Sequence, residues 1–348
     1  MESLKVGIVG ATGFGGLELI RLLKQHPEVN EFILYSSSKK DEHIQSVYPH
    51  LNGLAEGALK AIDHEKMPEQ VDFLFSSAPT GVSASLLPPL LEKGMRIIDL
   101  AGDYRLKKQG VYERWYKKEP PERKWVEKAV YGMPEYNREN IKSAQLIANP
   151  GCYPTAALLG LLPLVTKSLI DTKSIIIDAK SGISGAGAVP SSAAHFPIAN
   201  DNLQIYKVNR HQHIPEIEQM LHHYSVTKDP ITFNTHLVPM TRGIMNTMYA
   251  TVDEGTTERE IEETFSEFAE QHPFIRLSPQ GTFPCTKQVF GSNYCDIGWS
   301  FDKRTNRITT VAVIDNLMKG AAGQAVQNFN LMNGFPENTG LQASPLFP

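Results

Sequence analysis

The first half of the chain alternates short apolar runs with stretches of helical spacing. Leu4 to Val9 (LKVGIV), bounded by glycine, is predicted as a buried parallel strand. It leads through Gly10-Ala11-Thr12-Gly13-Phe14-Gly15-Gly16 into Leu17 to His26, where Leu17, Ile20 and Leu23 recur at helical spacing until Pro27. Further strands are predicted at Glu31 to Tyr35, Val71 to Ser76, Met95 to Leu100 and Gln145 to Ala148, with a helical stretch at Ser83 to Glu92. This alternation predicts an α/β fold with a doubly wound parallel sheet. Lys107 to Lys128, charged and aromatic with Pro120-Pro121 inside, reads as a surface excursion. Beyond an apolar helical run at Ala156 to Leu162 the rhythm changes. Ser174 to Lys180, Ile231 to Val238, Thr247 to Val252, Tyr294 to Phe301 and Arg307 to Ile314 alternate, which predicts a second, α+β domain with a mixed, largely antiparallel sheet covered on one face. Thr257 and Glu260 form a capping box for a helix reaching about Gln271, and Asn316 to Asn333 is predicted as a helix with small residues on one side.

Composition narrows the partners. A chain of 348 residues fits two domains, and a net charge of -4 proposes no nucleic-acid track and no membrane surface. A small soluble substrate is expected. The three cysteines, Cys152, Cys285 and Cys295, have neither disulfide-scaffold nor metal-site spacing, which points to a reducing compartment and no metal. Met1 to Lys5 carries no basic leader, and the longest apolar run, around Ala156 to Val165, is broken by Pro163, so a cytoplasmic chain without a transmembrane span is expected.

The candidate chemistry gathers around Asn149-Pro150-Gly151-Cys152-Tyr153-Pro154-Thr155-Ala156. Cys152 stands between a Pro-Gly turn and a helix start, with Pro154 and Thr155 suited to the first turn. Helix N-termini stabilise thiolates and lower a cysteine pKa from about 8.5 to roughly 3.5–7.5. Cys152 therefore reads as a nucleophile. Gly10, Gly13 and Gly16 form a GxxGxxG loop between strand and helix, suited to a pyrophosphate resting on the helix N-terminus. No acid follows the second strand before Asp41; Ser36-Ser37-Ser38-Lys39-Lys40 stands there instead, which suits a 2′-phosphate and predicts NADP(H). Ser77-Ala78-Pro79-Thr80-Gly81 is a turn where cofactor would pass. Asp103 and Arg105 read equally as a local ion pair or as groups facing substrate. Ser181 to Gly187 offers backbone N–H groups and hydroxyls to an anion, and Arg242 sits in a tight loop as a fork for phosphate or carboxylate. Arg210, His211 and His213 cluster before an amphipathic helix marked by Ile214, Ile217 and Leu221, as acid/base and anion-binding groups. Together these parts predict attack of the Cys152 thiolate on an acyl phosphate, loss of phosphate to leave a thioester, and hydride reduction to an aldehyde, with His213 or His211 managing the proton. A regulator that merely senses NADP would not need the cysteine turn, and a thiol hydrolase would not need the glycine loop.

The segments GATGFGG, YGMPE, NPGCYPTA, SGISGAG, HQHIPEIEQ, PMTRG, SNYCDIG and NLMKGAAGQAVQN cover nearly the whole chain and resemble the N-acetyl-γ-glutamyl-phosphate reductase family of arginine biosynthesis, related to aspartate-semialdehyde dehydrogenase. The resemblance implies a Rossmann domain over 1–151 and 316–348, with a returning C-terminal helix, and a catalytic and oligomerisation domain over 152–315. It implies a homodimer or homotetramer. By the resemblance Cys152 is the nucleophile and His211 and His213 supply the acid/base; Gly10, Thr12, Gly13, Phe14, Gly15, Ser36, Ser38, Lys39, Ala78, Pro79, Ser184, Gly185 and Asn316 are the candidates for the cofactor. Asp103, Arg105, Asn149, Ser181, Arg210, Glu216 and Arg242 go to substrate. Two departures stand out: Gln212 lies between the histidines where the family usually has Arg, and Ala188-Val189 follows SGISGAG where an Arg often stands. A carrier-linked aminoadipyl-phosphate reductase of lysine biosynthesis shares the core motifs, while HxHxPEIEQ argues against aspartate-semialdehyde dehydrogenase itself.

Overall fold

The computed structural model describes residues 4–347. The chain divides into two compact units, one comprising residues up to Gly151 with Ala321–Gln342, the other Cys152–Gly320 with Ala343 onward.

In the first unit, β1 (Leu4–Val9), β2 (Val29–Tyr35), β3 (Phe73–Ser76), β4 (Arg96–Asp99), β5 (Val130–Tyr131) and β6 (Leu146–Ala148) form one parallel sheet in the order β2-β1-β3-β4-β6-β5. β3 and β4 are buried at nearly every position, as their continuous apolar runs require in a sheet covered on both faces. After β2 the chain crosses back over β1 to reach β3. The strand order therefore reverses between β1 and β3, and in open α/β sheets ligands bind in the crevice at the carboxyl ends of such a pair. The helix after β1 spans Phe14–Leu23, so the glycines at 15 and 16 lie in its first turn rather than before it. The helical stretch expected at Ser83 to Glu92 is two short helices, Ser83–Leu86 and Pro88–Glu92, interrupted where Pro88 removes a backbone donor.

The segment Lys107 to Lys128 lies largely at the surface, as its composition suggested, but it is anchored there. It folds into helices Val111–Tyr116 and Arg123–Lys128 that bury Tyr112 and Trp125, and Trp125 joins a core with Leu87, Leu90, Leu91 and Ile97. The returning helix, Gly323–Met332, is buried at every position. Phe329 packs edge-on to Phe73, ring centroids 4.8 Å apart, while the helix's amides are taken by partners of the same unit: Gln324 and Asn328 donate to the Gly132 carbonyl, and Asn330 meets His26 at 2.8 Å. Its leading turn, Met318–Ala322, is a π-helix, where a uniform α-helix from Asn316 was expected.

In the second unit, β7 (Ile170–Gly182), β8 (Gln204–Tyr206), β9 (Thr232–Val238), β10 (Ile244–Val252), β11 (Ile275–Leu277), β12 (Cys295–Asp302) and β13 (Arg307–Ile314) make a mixed sheet ordered β11-β12-β13-β10-β7-β9-β8. Most pairs are antiparallel, with β7–β9 and β11–β12 parallel. β10 buries Ile244, Asn246, Met248, Ala250 and Val252 in strict alternation, so one face carries the core. Against that face lies the helix Cys152–Thr166, with 13 buried residues, apolar on all sides as a core helix must be. It begins at Cys152 itself and runs through Pro163, which breaks the apolar run in sequence but not the helix. The expected capping box is present: Glu260 N–H donates to Thr257 Oγ1 at 3.2 Å and Thr257 N–H to Glu260 at 2.7 Å, starting Glu258–Gln271.

Candidate active site

In the first unit the crevice is walled by two turns. Gly10, at φ +76°, could not bear a side chain: a Cβ there would lie 2.4 Å from the Ser77 carbonyl oxygen, and one on Gly16 would lie 2.3 Å from the Gly10 oxygen. Glycine at these positions lets the loop after β1 close on the turn after β3. Gly13 is different, since a Cβ would meet only the Gly10 oxygen at 3.5 Å. It is the N-cap of Phe14–Leu23, with no side-chain cap and no acid in the first turn. That uncapped, positively polarised helix end fits a dinucleotide pyrophosphate. Half-buried Thr12 and Phe14 lie in this loop, and Tyr48 donates to the Thr12 carbonyl at 2.8 Å, a support the sequence reading missed.

At the end of β2, Ser36 is buried and its Oγ accepts the Lys39 N–H at 3.2 Å, fixing the turn, while Ser38 is exposed. Lys39 Nζ is 3.4 Å from Glu42, a pairing not anticipated. Ala78 is buried and Pro79 exposed in the turn after β3. Asp103, only 1% exposed, accepts the Gly81 N–H on both carboxylate oxygens at 2.8 and 3.0 Å and the Tyr112 hydroxyl at 3.0 Å. Arg105 donates to the Leu100 and Asn149 carbonyls at 2.7 and 2.8 Å. Asn149 is wholly buried, its Nδ2 donating to the Ala321 carbonyl and its Oδ1 accepting from Asn328. Nearby Asp99, fully buried, accepts from Ser83 at 2.7 Å; burial first, then the Asp103 charge, push its pKa up to about 7.

In the second unit Cys152 opens its helix, half-buried, with no acidic residue in the first turn to compete with a thiolate. A Cβ on Gly320 would lie 2.9 Å from the Cys152 Cβ, so the π-turn passes Cys152 at a distance only glycine permits. Tyr153, His211, His213, Tyr206 and Phe233 form an aromatic cluster: the Tyr153 ring stands edge-on to His211 at 5.4 Å, His211 and His213 are 4.7 Å apart, and the two phenols meet at 3.2 Å. Tyr153 and Tyr206 both have raised pKa values, chiefly from burial, and the Cys152 charge adds to the shift in each. Both tyrosines were missed in the sequence; only the position of Tyr153 beside the cysteine hinted at it.

The two histidines, alike in sequence, differ here. His211 accepts the His213 N–H on Nδ1 at 3.2 Å, and burial with the nearby Lys207 charge drives its pKa down to about 3, so it stays neutral. His213 caps the helix Ile214–Tyr224, in whose first turn Glu216 is wholly buried. Arg210 is exposed.

The loop expected to offer backbone N–H groups to an anion is largely spoken for. Gly182, Ile183 and Ser184 donate to the carbonyls of Gly243, Met240 and Thr241 at 2.9 to 3.0 Å, because the Met240 to Gly243 loop packs alongside it. Asn316 ties both loops, accepting from Gly243 at 2.7 Å and donating to Ser184 Oγ at 2.9 Å. A Cβ on exposed Gly185 would approach the buried Ser181 hydroxyl at 2.7 Å. Arg242 lies 3.5 Å from fully buried Asp315. No helix among the described residues is long and apolar enough to cross a membrane.

Residues 5–144 match the family described as semialdehyde dehydrogenase, NAD binding domain, and residues 152–316 match semialdehyde dehydrogenase, dimerisation domain. Among solved structures, aspartate semialdehyde dehydrogenase II from Vibrio cholerae, complexed with ASA, shares the fold at a TM-score of 0.73 and 19% identity over 96% of this chain and 99% of that one. The Candida albicans aspartate semialdehyde dehydrogenase with NADP gives 0.70 at 17% over 97% and 99%. Much nearer in sequence are curated proteins named N-acetyl-gamma-glutamyl-phosphate reductase, 54% identical in Halalkalibacterium halodurans and 53% in Bacillus subtilis, each aligned over 99% of this chain and 100% of its own length. At that identity over its full length, the chain belongs to the N-acetyl-gamma-glutamyl-phosphate reductase family.

Proposed function

We propose that the protein reduces N-acetylglutamyl 5-phosphate to N-acetylglutamate 5-semialdehyde, releasing phosphate, with NADPH as reductant. The observation that carries the reading is Cys152 at the head of a buried helix with no acid in its first turn, in the same unit as the His211–His213 pair. The thiolate attacks the acyl carbon, the C–O bond to phosphate breaks, and a thioester remains on Cys152. When bound, NADPH supplies the hydride that converts this thioester to the hemithioacetal level. His213 holds a proton at the substrate carbonyl oxygen and takes it back as the C–S bond breaks, returning the thiolate and the aldehyde. His211, kept neutral, orients His213 through its backbone. Ser181, Arg210, Glu216 and Arg242 are the proposed substrate-binding groups of the second unit, and Asn149 that of the first.

The glycine loop, Ala78 and Pro79 are proposed to hold the dinucleotide, with Ser36, Ser38 and Lys39 at the 2′-phosphate; the absence of an acid before Asp41 supports NADP over NAD. We assign Ser184, Gly185 and Asn316 to the nicotinamide end. The match to a dimerisation domain supports a homodimer or homotetramer, and three free thiols suit a cytoplasmic setting.

The test is NADP reduction with N-acetylglutamate semialdehyde and inorganic phosphate, beside aspartate semialdehyde. Phosphate-dependent turnover of the acetylated substrate alone is expected. Turnover of aspartate semialdehyde instead, or silence on both, overturns the reading, and silence with NADP still bound redirects it to a carrier-linked acyl phosphate.

A further inference from the structure

We propose that Asp103 is a positioning residue for the cofactor, acting through the backbone of the turn Ser77 to Gly81, and not a ligand of the substrate. This rests on the reading above and refines it.

The turn forms one wall of the crevice between β1 and β3. Ser77 N–H donates to the Val9 carbonyl at 2.9 Å, and the Ser77 oxygen is the atom against which Gly10 closes. Any shift of the turn is therefore a shift of the wall facing a bound dinucleotide. A single clamp fixes its far end. Both oxygens of Asp103 accept the Gly81 N–H, and Tyr112 Oη donates to Oδ1 at 3.0 Å. Two residues on, Ser83 Oγ donates to Asp99 at 2.7 Å and the Ser83 carbonyl accepts from Tyr104 at 3.1 Å. The loop after β4 thus grips the turn after β3 at successive points.

Three features argue against a substrate contact for Asp103. The side chain is 1% exposed, leaving no face for a ligand. Three of its roughly four acceptor sites are already used, two by the Gly81 N–H and one by the Tyr112 hydroxyl. The proposed substrate is itself anionic at phosphate and carboxylate, and a buried carboxylate would repel both. Tyr112 belongs to the helix Val111–Tyr116, and its ring stacks on Tyr116 at 4.8 Å, so the aromatic segment that composition assigned to the surface supplies the clamp's fixed end.

The experiment compares Asp103→Ala, Asp103→Asn and Tyr112→Phe in the full chain. It reads the NADPH dissociation constant by fluorescence titration, the KM for N-acetylglutamate semialdehyde at saturating NADP, and the alkylation rate of Cys152. Asp103→Ala should weaken NADPH binding roughly tenfold to a hundredfold, the range for losing bonds to a buried charged acceptor. Asp103→Asn, which keeps an acceptor at one oxygen, should recover much of the loss, and Tyr112→Phe should weaken binding a few-fold. Semialdehyde KM and Cys152 alkylation should stay within about twofold, which a general loss of structure would not allow. If Asp103→Ala fails to fold, the same split in Tyr112→Phe carries the test. A raised semialdehyde KM with unchanged NADPH affinity overturns the proposal, as does unchanged affinity in every variant. Wild-type protein that binds no NADPH would instead overturn the functional reading and the proposal with it.

Discussion

His211 and Asp99 are both buried titratable groups, and they pull stability in opposite directions with pH. His211 has its folded pKa pushed down to about 3 by burial and the Lys207 charge, so between that value and 6.5 the unfolded chain binds more protons than the folded one. Its contribution is lost as pH falls, by at most about 1.4 kcal/mol per pH unit. Asp99 has its folded pKa raised to about 7, so the folded chain binds more protons from about pH 4 upward and stability is lost as pH rises toward 7. The two slopes offset each other in the wild type and are separated by mutation. His211→Asn should leave the Asp99 slope exposed, giving a chain that unfolds at higher temperature at pH 5 than at pH 7. Asp99→Asn should do the reverse, with melting temperature falling as the medium is acidified. Thermal melts of both variants across pH 4 to 8 check this, and identical pH profiles would show that neither group titrates as its surroundings imply. Little of this was legible in the sequence. HQH looked like a pair of equals, because a spacing of two residues does not say which ring lies under Tyr153 and Tyr206.

Elements were readable where local chemistry decides them and obscure where distant partners do. The capping box at Thr257 and the alternating strands depend on neighbours a few residues away, and each stands where its pattern placed it. The loop at Ser181 to Gly187 depends on one some sixty residues downstream. Its glycines advertise open N–H groups, yet the first three donors are consumed by the Met240 to Gly243 carbonyls. Lys107 to Lys128 is legible only in part for a similar reason: its charges are solvated, but the few aromatics among them are what it buries. Asn316 joins the two loops of the second unit through both ends of one amide. Asn316→Ala should therefore leave a buried Gly243 N–H without its acceptor and cost about 1–3 kcal/mol, read as a lower urea midpoint at unchanged m-value. Asn316→Asp, which retains the Gly243 acceptor but cannot donate to Ser184, should fall between. A midpoint unmoved in Asn316→Ala would mean that the loops hold each other without it.

At the scale of the whole molecule the candidate groups fall in both compact units. The glycine loop, the 2′-phosphate candidates and the turn held by Asp103 belong to the first unit; Cys152, the histidines and Gly320 belong to the second. The doubly wound half was legible from apolar runs and glycines. The returning helix was legible from its small residues, but the roles of its amides were not: Gln324, Gln327, Asn328 and Asn330 are buried, with Gly132, His26 and Glu337 among their partners. The proposed nucleophile is one atom, and replacing it tests acyl transfer apart from dinucleotide binding. Replacing the Cys152 sulfur by oxygen leaves every group of the first unit in place, but a hydroxyl near its ordinary ionisation supplies almost no alkoxide at neutral pH, and no thioester can form. Cys152→Ser should bind NADPH with wild-type affinity and show no measurable turnover of N-acetylglutamate semialdehyde. Iodoacetamide should then inactivate the wild type in step with alkylation of Cys152, read apart from that of the exposed Cys285, while NADPH titration of the alkylated protein separates a blocked nucleophile from a lost cofactor site. Turnover retained in Cys152→Ser would move the nucleophile elsewhere, and NADPH affinity lost with the sulfur would show that the two functions are not carried apart.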